Sequence, residues 1–488
     1  MSDSLKLLSF SAKIRTLHLT WFAFFISFML WFNHAPLMPV LREVFALSAQ
    51  EVNVILMMNV ALTIPARILV GMLVDRFGPR LMFSAILVLA GLLCIPFALA
   101  ENFQELAIFR FMLGFVGAGF VVGIRMIGEW FPAKQTGAAQ GIYAGWGNFG
   151  SAASAIVLPA LALWFGGDDG WRYAILVTAI ISIVYGIYYY FSVSNTPRGS
   201  TYFKPKKMGA MEVTSKADLF LYLLMSIPVY GALALLAWKL SPAGTNWLSS
   251  GLTYGIYAII AAVYAWQAWR IIQINKNVFS QQTPEMFRYA FKQVAVMDLA
   301  YMVTFGSELA LVSMLPLFYI DEFGLSVIVA GILAGTYPVM NLIARPAGGI
   351  FSDRVGRKKS LIILFSGITL SFILLAQVDA DWAVPIVVTI TLLCGLFSKG
   401  GSGAVFAMVP LIQRRMTGQI AGMAGAYGNV GGLVFLTVLS LVSTALFFMV
   451  IGLAALAVLL AITFFLDEPT GQTAEVLEDG TVQMIDVS

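Results

Sequence analysis

The sequence predicts an all-α polytopic membrane protein made of two six-helix bundles with a two-helix hairpin inserted between them. Three observations lead there. The chain of 488 residues is 60% hydrophobic and only 11% charged, with a mean hydropathy of +0.87, which excludes an ordinary soluble enzyme. Apolar runs of about twenty residues recur along its whole length between short polar turns, the pattern of spanning helices rather than the ten-residue alternation of a membrane barrel. The first and last parts of the chain also repeat one another at a nearly constant offset.

The first six apolar runs lie near residues 19–40, 52–74, 81–100, 106–131, 136–165 and 172–192. The first of them follows Lys6, Lys13 and Arg15 and ends in no small-residue cleavage site, so it reads as a retained helix. Six more runs lie near 294–320, 327–352, 360–378, 382–412, 418–442 and 444–466. Arg67 and Arg345 are 278 residues apart, whereas Thr136 and Thr417, Gly141 and Gly422, and Asn148 and Asn429 are all 281 apart. A shared offset across several spans argues for an internal duplication.

Two further runs, near 218–239 and 252–272, separate the sixes. The second carries Tyr254, Tyr257, Tyr264, Trp266 and Trp269, aromatic enough to anchor at an interface, and the length of both favours spanning over lying flat. The expected organisation is residues 1–192 as the first bundle, 193–293 as a linker holding the hairpin, 294–466 as the second bundle, and 467–488 as an acidic, disordered tail. Basic residues gather in every second loop, at Arg76 and Arg80, at Arg198 and Lys204, at Arg354, Lys358 and Lys359, and at Arg414 and Arg415. By the positive-inside rule these loops and both termini are cytoplasmic. Cys94 and Cys394 are isolated within apolar runs, so neither a disulfide nor a metal site is expected. The net charge of +4 is small, and no nucleic-acid partner is expected.

Function-bearing residues stand out against this apolar ground. Arg67 and Arg345 each sit within an apolar run, four residues before a glycine, Gly71 or Gly349, and eight before an Asp-Arg pair, Asp75-Arg76 or Asp353-Arg354. A central guanidinium costs roughly 2.5 to 3.5 kcal/mol on insertion scales, so two of them call for a counter-charge, and their own helices offer none. A substrate anion would supply it. Snorkelling to the nearby basic turn is the bland alternative for Arg67. Glycines spaced at four, such as Gly137, Gly141 and Gly145, suit close helix packing whatever else they do. Asn148 and Asn429 add buried amides that must find partners and can donate to an oxyanion. Asp298, Tyr301, Phe305 and Glu308 share one face of the seventh helix. Glu308 is a candidate proton carrier, or a structural partner of Arg125 or Lys399; Asp298 is a second candidate, or a helix-start acid at the interface. His34 could also titrate, or serve as a hydrogen-bonded helix-end residue.

The turn formed by Gly71, Asp75, Arg76, Gly78 and Arg80, repeated as Gly349, Asp353, Arg354, Gly356 and Lys358, resembles the hallmark of the major facilitator superfamily. The resemblance implies the major facilitator fold, with these turns acting as a conformational switch between the two halves. A narrower likeness is carried by the segments 144–150 and 425–431, which contain Asn148 and Asn429 and resemble the paired nitrate-signature segments of the nitrate/nitrite porter family. That likeness implies Arg67 and Arg345 as an anion clamp, with Tyr301, Phe305, Phe120, Asn148 and Asn429 around it and Trp31 as a loosely placed first-helix contact. The inserted hairpin departs from the family's twelve-helix pattern.

The expectation is a plasma-membrane carrier, that of a bacterial inner membrane, moving nitrate and nitrite by alternating access. It would act as a monomer in the bilayer, with protons as the coupling ion and no cofactor. Nitrate/nitrite exchange, transport of another small oxyanion, and a membrane sensor on a carrier fold remain alternatives. No nucleophile-base constellation suggests an enzyme.

Overall fold

The computed structural model describes residues 5–9, 11–205, 207, 209–279, 288–476 and 482–486. The first half comprises α1 (Ala12–Trp31), α2 (Met38–Val44), α3 (Ala49–Ala61), α4 (Thr63–Phe77), α5 (Pro79–Ala98), α6 (Phe103–Leu113), α7 (Gly119–Trp130), α8 (Ala133–Phe165) and α9 (Gly170–Ser192). The hairpin is α10 (Lys216–Leu240) and α11 (Ser250–Ile274). The second half comprises α12 (Phe291–Phe323), α13 (Val327–Val339), α14 (Asn341–Val355), α15 (Arg357–Leu375), α16 (Val384–Ile412), α17 (Thr417–Leu439) and α18 (Thr444–Phe465).

Among the described residues, 13 helical stretches are long and apolar enough to cross a membrane. The fourteenth expected span, α13 with α14, is interrupted at Met340 and carries Arg345, Asp353 and Arg354. Its counterpart in the first half breaks at Leu62, between α3 and α4. In both halves the break falls five residues before the buried arginine. A second irregularity, the 3-10 turn Gly114–Ala118 between α6 and α7, leaves carbonyls whose bonds are not taken up by a regular helix. Gly114 O accepts from Thr63 Oγ1 at 2.6 Å, tying this turn to the break.

The halves meet through two equivalent helix pairs, α4 with α17 and α14 with α8. At the end where the basic loops lie these pairs touch backbone to backbone. A Cβ on Gly71 would strike the Gly418 carbonyl, and one on Gly349 would strike that of Gly137. Only glycine permits such an approach. In the hairpin, α10 packs on α17 and α12 and reaches α3 and α4, with Tyr427 Oη donating to Met225 O at 2.6 Å. Helix α11 rests on α10 and leaves Tyr254, Trp266 and Trp269 exposed.

The tail corrects an expectation. Instead of being disordered throughout, it forms an antiparallel pair, β1 (Gln472–Val476) with β2 (Val482–Asp486); residues 477–481 and 487–488 lie outside the described residues. The β propensity of residues such as Val476, Val482 and Ile485 outweighs the acidic composition that suggested disorder.

Candidate functional site

Arg67 and Arg345 are both fully buried, which removes snorkelling as an account of Arg67. An aromatic cage brings them together. The Phe305 ring centroid lies 5.4 Å from Arg67 Cζ and 5.7 Å from Arg345 Cζ, so one ring spans the gap between the two guanidiniums. Arg67 also lies 5.6 Å from the Phe120 ring and 5.8 Å from the Trp31 ring. Tyr301 stacks between Phe305, at 5.1 Å, and Phe120, at 6.0 Å, and it interacts with both arginines. Aromatic faces near a guanidinium stabilise its charge without neutralising it.

The two arginines are satisfied differently. Arg67 Nε donates to Gly117 O at 3.2 Å and its Nη1 to Gly425 O, across the interface of the halves, at 2.6 Å. It has no carboxylate partner among the described residues. Arg345 Nη2 donates to Glu308 Oε2 at 3.0 Å and its Nε to Asn341 Oδ1 at 2.8 Å. Asn341 Nδ2 in turn donates to Glu308 Oε1 at 2.6 Å, and Lys399 Nζ approaches the same oxygen at 3.4 Å. Arg345 Nη1 stays buried with no partner among the described residues. The expectation that both arginines lack a counter-charge is therefore corrected for Arg345, because Glu308 reaches it from another helix. Glu308 pairs with Lys399, as one reading had it, and not with Arg125.

Asn429 is fully buried on α17 with neither amide atom partnered among the described residues. It lies one turn beyond Gly425, whose carbonyl holds Arg67, and next to Gly428, which packs against Tyr301 and Phe305. Asn148 instead turns its amide back to Ala144 O of its own helix, at 2.6 Å. Gly145, within one turn of it, packs on the Asn341 carbonyl. Asp298 is buried on α12 with both oxygens unpartnered among the described residues; it faces Tyr222 of α10 and Tyr427 of α17 rather than the arginines. It is not the interfacial helix-start acid that one reading allowed. His34 lies beside Arg110, also outside the clamp. Arg110 binds Asn59, Asn33 and the last carbonyls of α1.

At the basic end, two aspartates accept from backbone N–H groups near the starts of helices of the opposite half. Asp75 accepts from the backbone N–H groups of Gly418 and Gln419, each at 2.8 Å. Asp353 accepts from Gly137 at 2.9 Å and Ala138 at 2.7 Å. For Asp75 the donors are the second and third residues of α17, whose N–H groups have no partner in their own helix, and the carboxylate complements the helix dipole; Gly137 and Ala138 are the fifth and sixth residues of α8. The basic partners are not those of the Asp-Arg pairs: Arg76 and Arg354 are exposed and make no ion pair among the described residues. Arg125 pairs with Asp75 at 3.4 Å and with Glu129 at 3.0 Å, and Arg357 pairs with Asp353 at 2.5 Å. A helix turn carries Arg76 and Arg354 away from the face that Asp75 and Asp353 present to the interface. The linker joins this cluster, with Arg125 Nη2 donating to Phe203 O at 2.6 Å and Tyr202 Oη to Val74 O at 2.6 Å. Burial pushes the Tyr202 phenol well above its ordinary pKa, which keeps it a donor.

Sequence reasoning missed Asn341 and Phe406. The four-residue spacing of Asn341 and Arg345 was a readable signal; Phe406, 4.6 Å from both the Phe120 and Tyr301 rings, had none.

Two helical halves closing on a buried cationic site, all within a multi-pass membrane protein, define the class as a membrane transporter. The chain belongs to the major facilitator superfamily, and within it to the nitrate/nitrite porter family. The model of the Major Facilitator Superfamily matches residues 20–276 and 297–484. The nitrate/nitrite transporter NrtP of Nostoc punctiforme is 43% identical over 480 residues, covering 97% of this chain and 96% of its own. The protein described as a probable nitrate/nitrite antiporter, NarK1, of Thermus thermophilus is 26% identical, covering 86% of this chain and 83% of its own. The fold is also that of the proton:xylose symporter XylE, with a TM-score of 0.60 at 15% identity, 94% of this chain and 96% of that one being covered.

Proposed function

We propose that the protein carries nitrate, and nitrite, across the plasma membrane by alternating access, with both termini cytoplasmic and uptake coupled to protons. The observation that carries this reading is the pair of buried arginines in one aromatic cage. Arg67 lacks a carboxylate partner, and Arg345 keeps an unpartnered Nη1. The names of the 43% identical relatives agree with it.

Nitrate is planar and singly charged, and guanidinium offers paired donors in a plane, so the two shapes suit one another. An anion between the arginines would take Arg67 from the Gly425 carbonyl and engage the open donor of Arg345, with the Asn429 amide and Asn148 as further contacts. Two cations about 8 Å apart repel by roughly 2 kcal/mol at an effective dielectric of about 20, and the anion relieves this. In this reading Gly71, Asp75, Gly349 and Asp353 close the cytoplasmic side and part when the site opens inward. Moving one anion inward costs about 2.3 kcal/mol per 100 mV, which is why uptake needs a coupling ion. The charge cluster around Glu308 is the coupling site; Asp298 and His34, remote from the arginines, are the weaker acidic and basic candidates.

The test is isotopic nitrate uptake into proteoliposomes holding the purified chain, with and without an imposed pH gradient and with nitrite inside. Uptake driven by external acid supports the full reading. Stimulation by internal nitrite alone would replace proton coupling with exchange, and no transport of either anion under any gradient would sink the substrate assignment.

A further inference from the structure

Lys399 is fully buried on α16. Its Nζ lies 3.4 Å from Glu308 Oε1 and 3.7 Å from the Tyr337 ring centroid, a longer contact than Glu308 makes with Arg345 or Asn341. Glu308, by contrast, is already held by Arg345 Nη2 and Asn341 Nδ2. The groups facing Lys399 are Glu308 from α12, Arg345 from α14 and Tyr337 from α13, with Ser398 and Ser402 beside it on its own helix.

The charge count separates the two residues of this pair. If Lys399 gives up its proton, Arg345 and Glu308 remain a balanced, hydrogen-bonded pair. If Glu308 takes up a proton, Arg345, Lys399 and Arg67 remain as three buried cations with no anion between them. The second state is far costlier in a low-dielectric interior. A buried ammonium also sheds its proton much more readily than a guanidinium does.

Resting on the anion-carrier reading above, we propose that Lys399 is the group that takes up and releases the coupled proton, with Glu308 as its fixed anchor. A charged Lys399 adds an unbalanced positive charge behind Arg345, and a substrate anion at the open Nη1 of Arg345 balances it. Each then favours the other, and reciprocity is obligatory for two ligands of one protein. For unit charges about 8 to 10 Å apart at an effective dielectric of about 20, the mutual effect is about 15- to 30-fold. Proton and anion load together outside and leave together inside, which is what symport requires. The proton passes between solvent and the amine nitrogen, and no bond to the anion is made or broken.

The experiment uses the purified full-length chain in weakly buffered detergent solution, nitrate as the probe, and a pH-indicating dye. Wild type is expected to take up protons as nitrate binds, and its nitrate affinity to weaken by about 15- to 30-fold with rising pH as Lys399 loses its charge. Lys399→Arg, whose charge is permanent, is expected to bind nitrate with no proton uptake and with an affinity that no longer follows pH. Lys399→Gln is the second variant should arginine not fit; it is expected to bind 15- to 30-fold more weakly at low pH, again without proton uptake. Proton uptake by both variants equal to that of wild type would overturn the assignment. Nitrate binding by wild type with no proton uptake would overturn it while leaving the carrier reading intact, and absence of nitrate and nitrite binding by wild type would overturn both.

Discussion

Arg67 and Arg345 stand at equivalent places, each five residues past a break in its span, yet their surroundings have little in common. Arg67 is held by two backbone carbonyls, one from each half. Arg345 is locked in a side-chain network with Glu308 and Asn341, with Lys399 behind it. The paired aspartates at the basic end show the opposite tendency. Asp75 and Asp353 make the same pair of backbone bonds to the facing half, and only the cations that accompany them differ. The repeat thus keeps the backbone contacts between the halves and varies the side-chain pairs that balance charge. An arginine satisfied by carbonyls can exchange them for an anion at little cost, whereas one satisfied by a carboxylate brings its own charge balance to every state of the site.

The comparison breaks most severely at Glu308. Replacing it with leucine leaves Arg345 and Lys399 buried without their anion, and loss of one partner from a buried ionic network costs about 3 to 5 kcal/mol. The expected outcome is a large fall in the thermal unfolding midpoint of the detergent-solubilised protein. No single substitution of a partner of Arg67 has that effect, since its partners are carbonyls.

The arginines themselves come next. Arg67→Lys is expected to weaken nitrate affinity by about 10- to 100-fold through loss of a charge-assisted, paired contact, with stability little changed. Arg345→Lys is expected to lose both affinity and stability, because the same donors hold Glu308. Nitrate titrations and melting curves on the two variants separate these outcomes, and equal behaviour of the pair would remove the asymmetry.

A smaller effect belongs to the paired aspartates. Asp75→Asn and Asp353→Asn each weaken two charge-assisted backbone bonds, worth about 1.5 to 3 kcal/mol apiece. Both are expected to shift the protein toward a form open at the basic end, read as faster alkylation of a cysteine introduced at Gln419 or Ala138, the neighbouring residues that already carry a side chain. Asp75→Asn should shift it further, because Arg125 then loses one of its two buried acids. Smallest is Tyr427→Phe, which removes the bond from α17 to Met225 of the hairpin and should cost about 1 kcal/mol of stability.

Much of this was legible in one dimension. Long apolar runs mark the spans, a constant offset marks the repeat, and an arginine in an apolar run is conspicuous because its burial is costly. The one-face spacing of Tyr301, Phe305 and Glu308 carried over, since period alone sets which residues of one helix share a side. The same reasoning placed Asp298 with them, and there it failed, because Asp298 lies nearly three turns from Glu308, far enough along α12 to meet α10 and α17 instead. Arg76 and Arg354 stay outside the interface for a related reason: adjacent residues on a helix point in different directions, and only the packed interface decides which of them it receives.

The sequence by itself determined the membrane class, the two halves, the paired arginines and the paired aspartates, because each is written in local composition or in a repeat. Tertiary structure alone decided that Glu308 answers Arg345 and leaves Arg67 to carbonyls, that Arg125 and Arg357 pair with Asp75 and Asp353, and that Lys399 lies buried beside a carboxylate already engaged elsewhere. Those pairings cross between helices. They depend on the depth and rotation of each helix in the bundle, and an apolar run long enough to span the bilayer fixes neither.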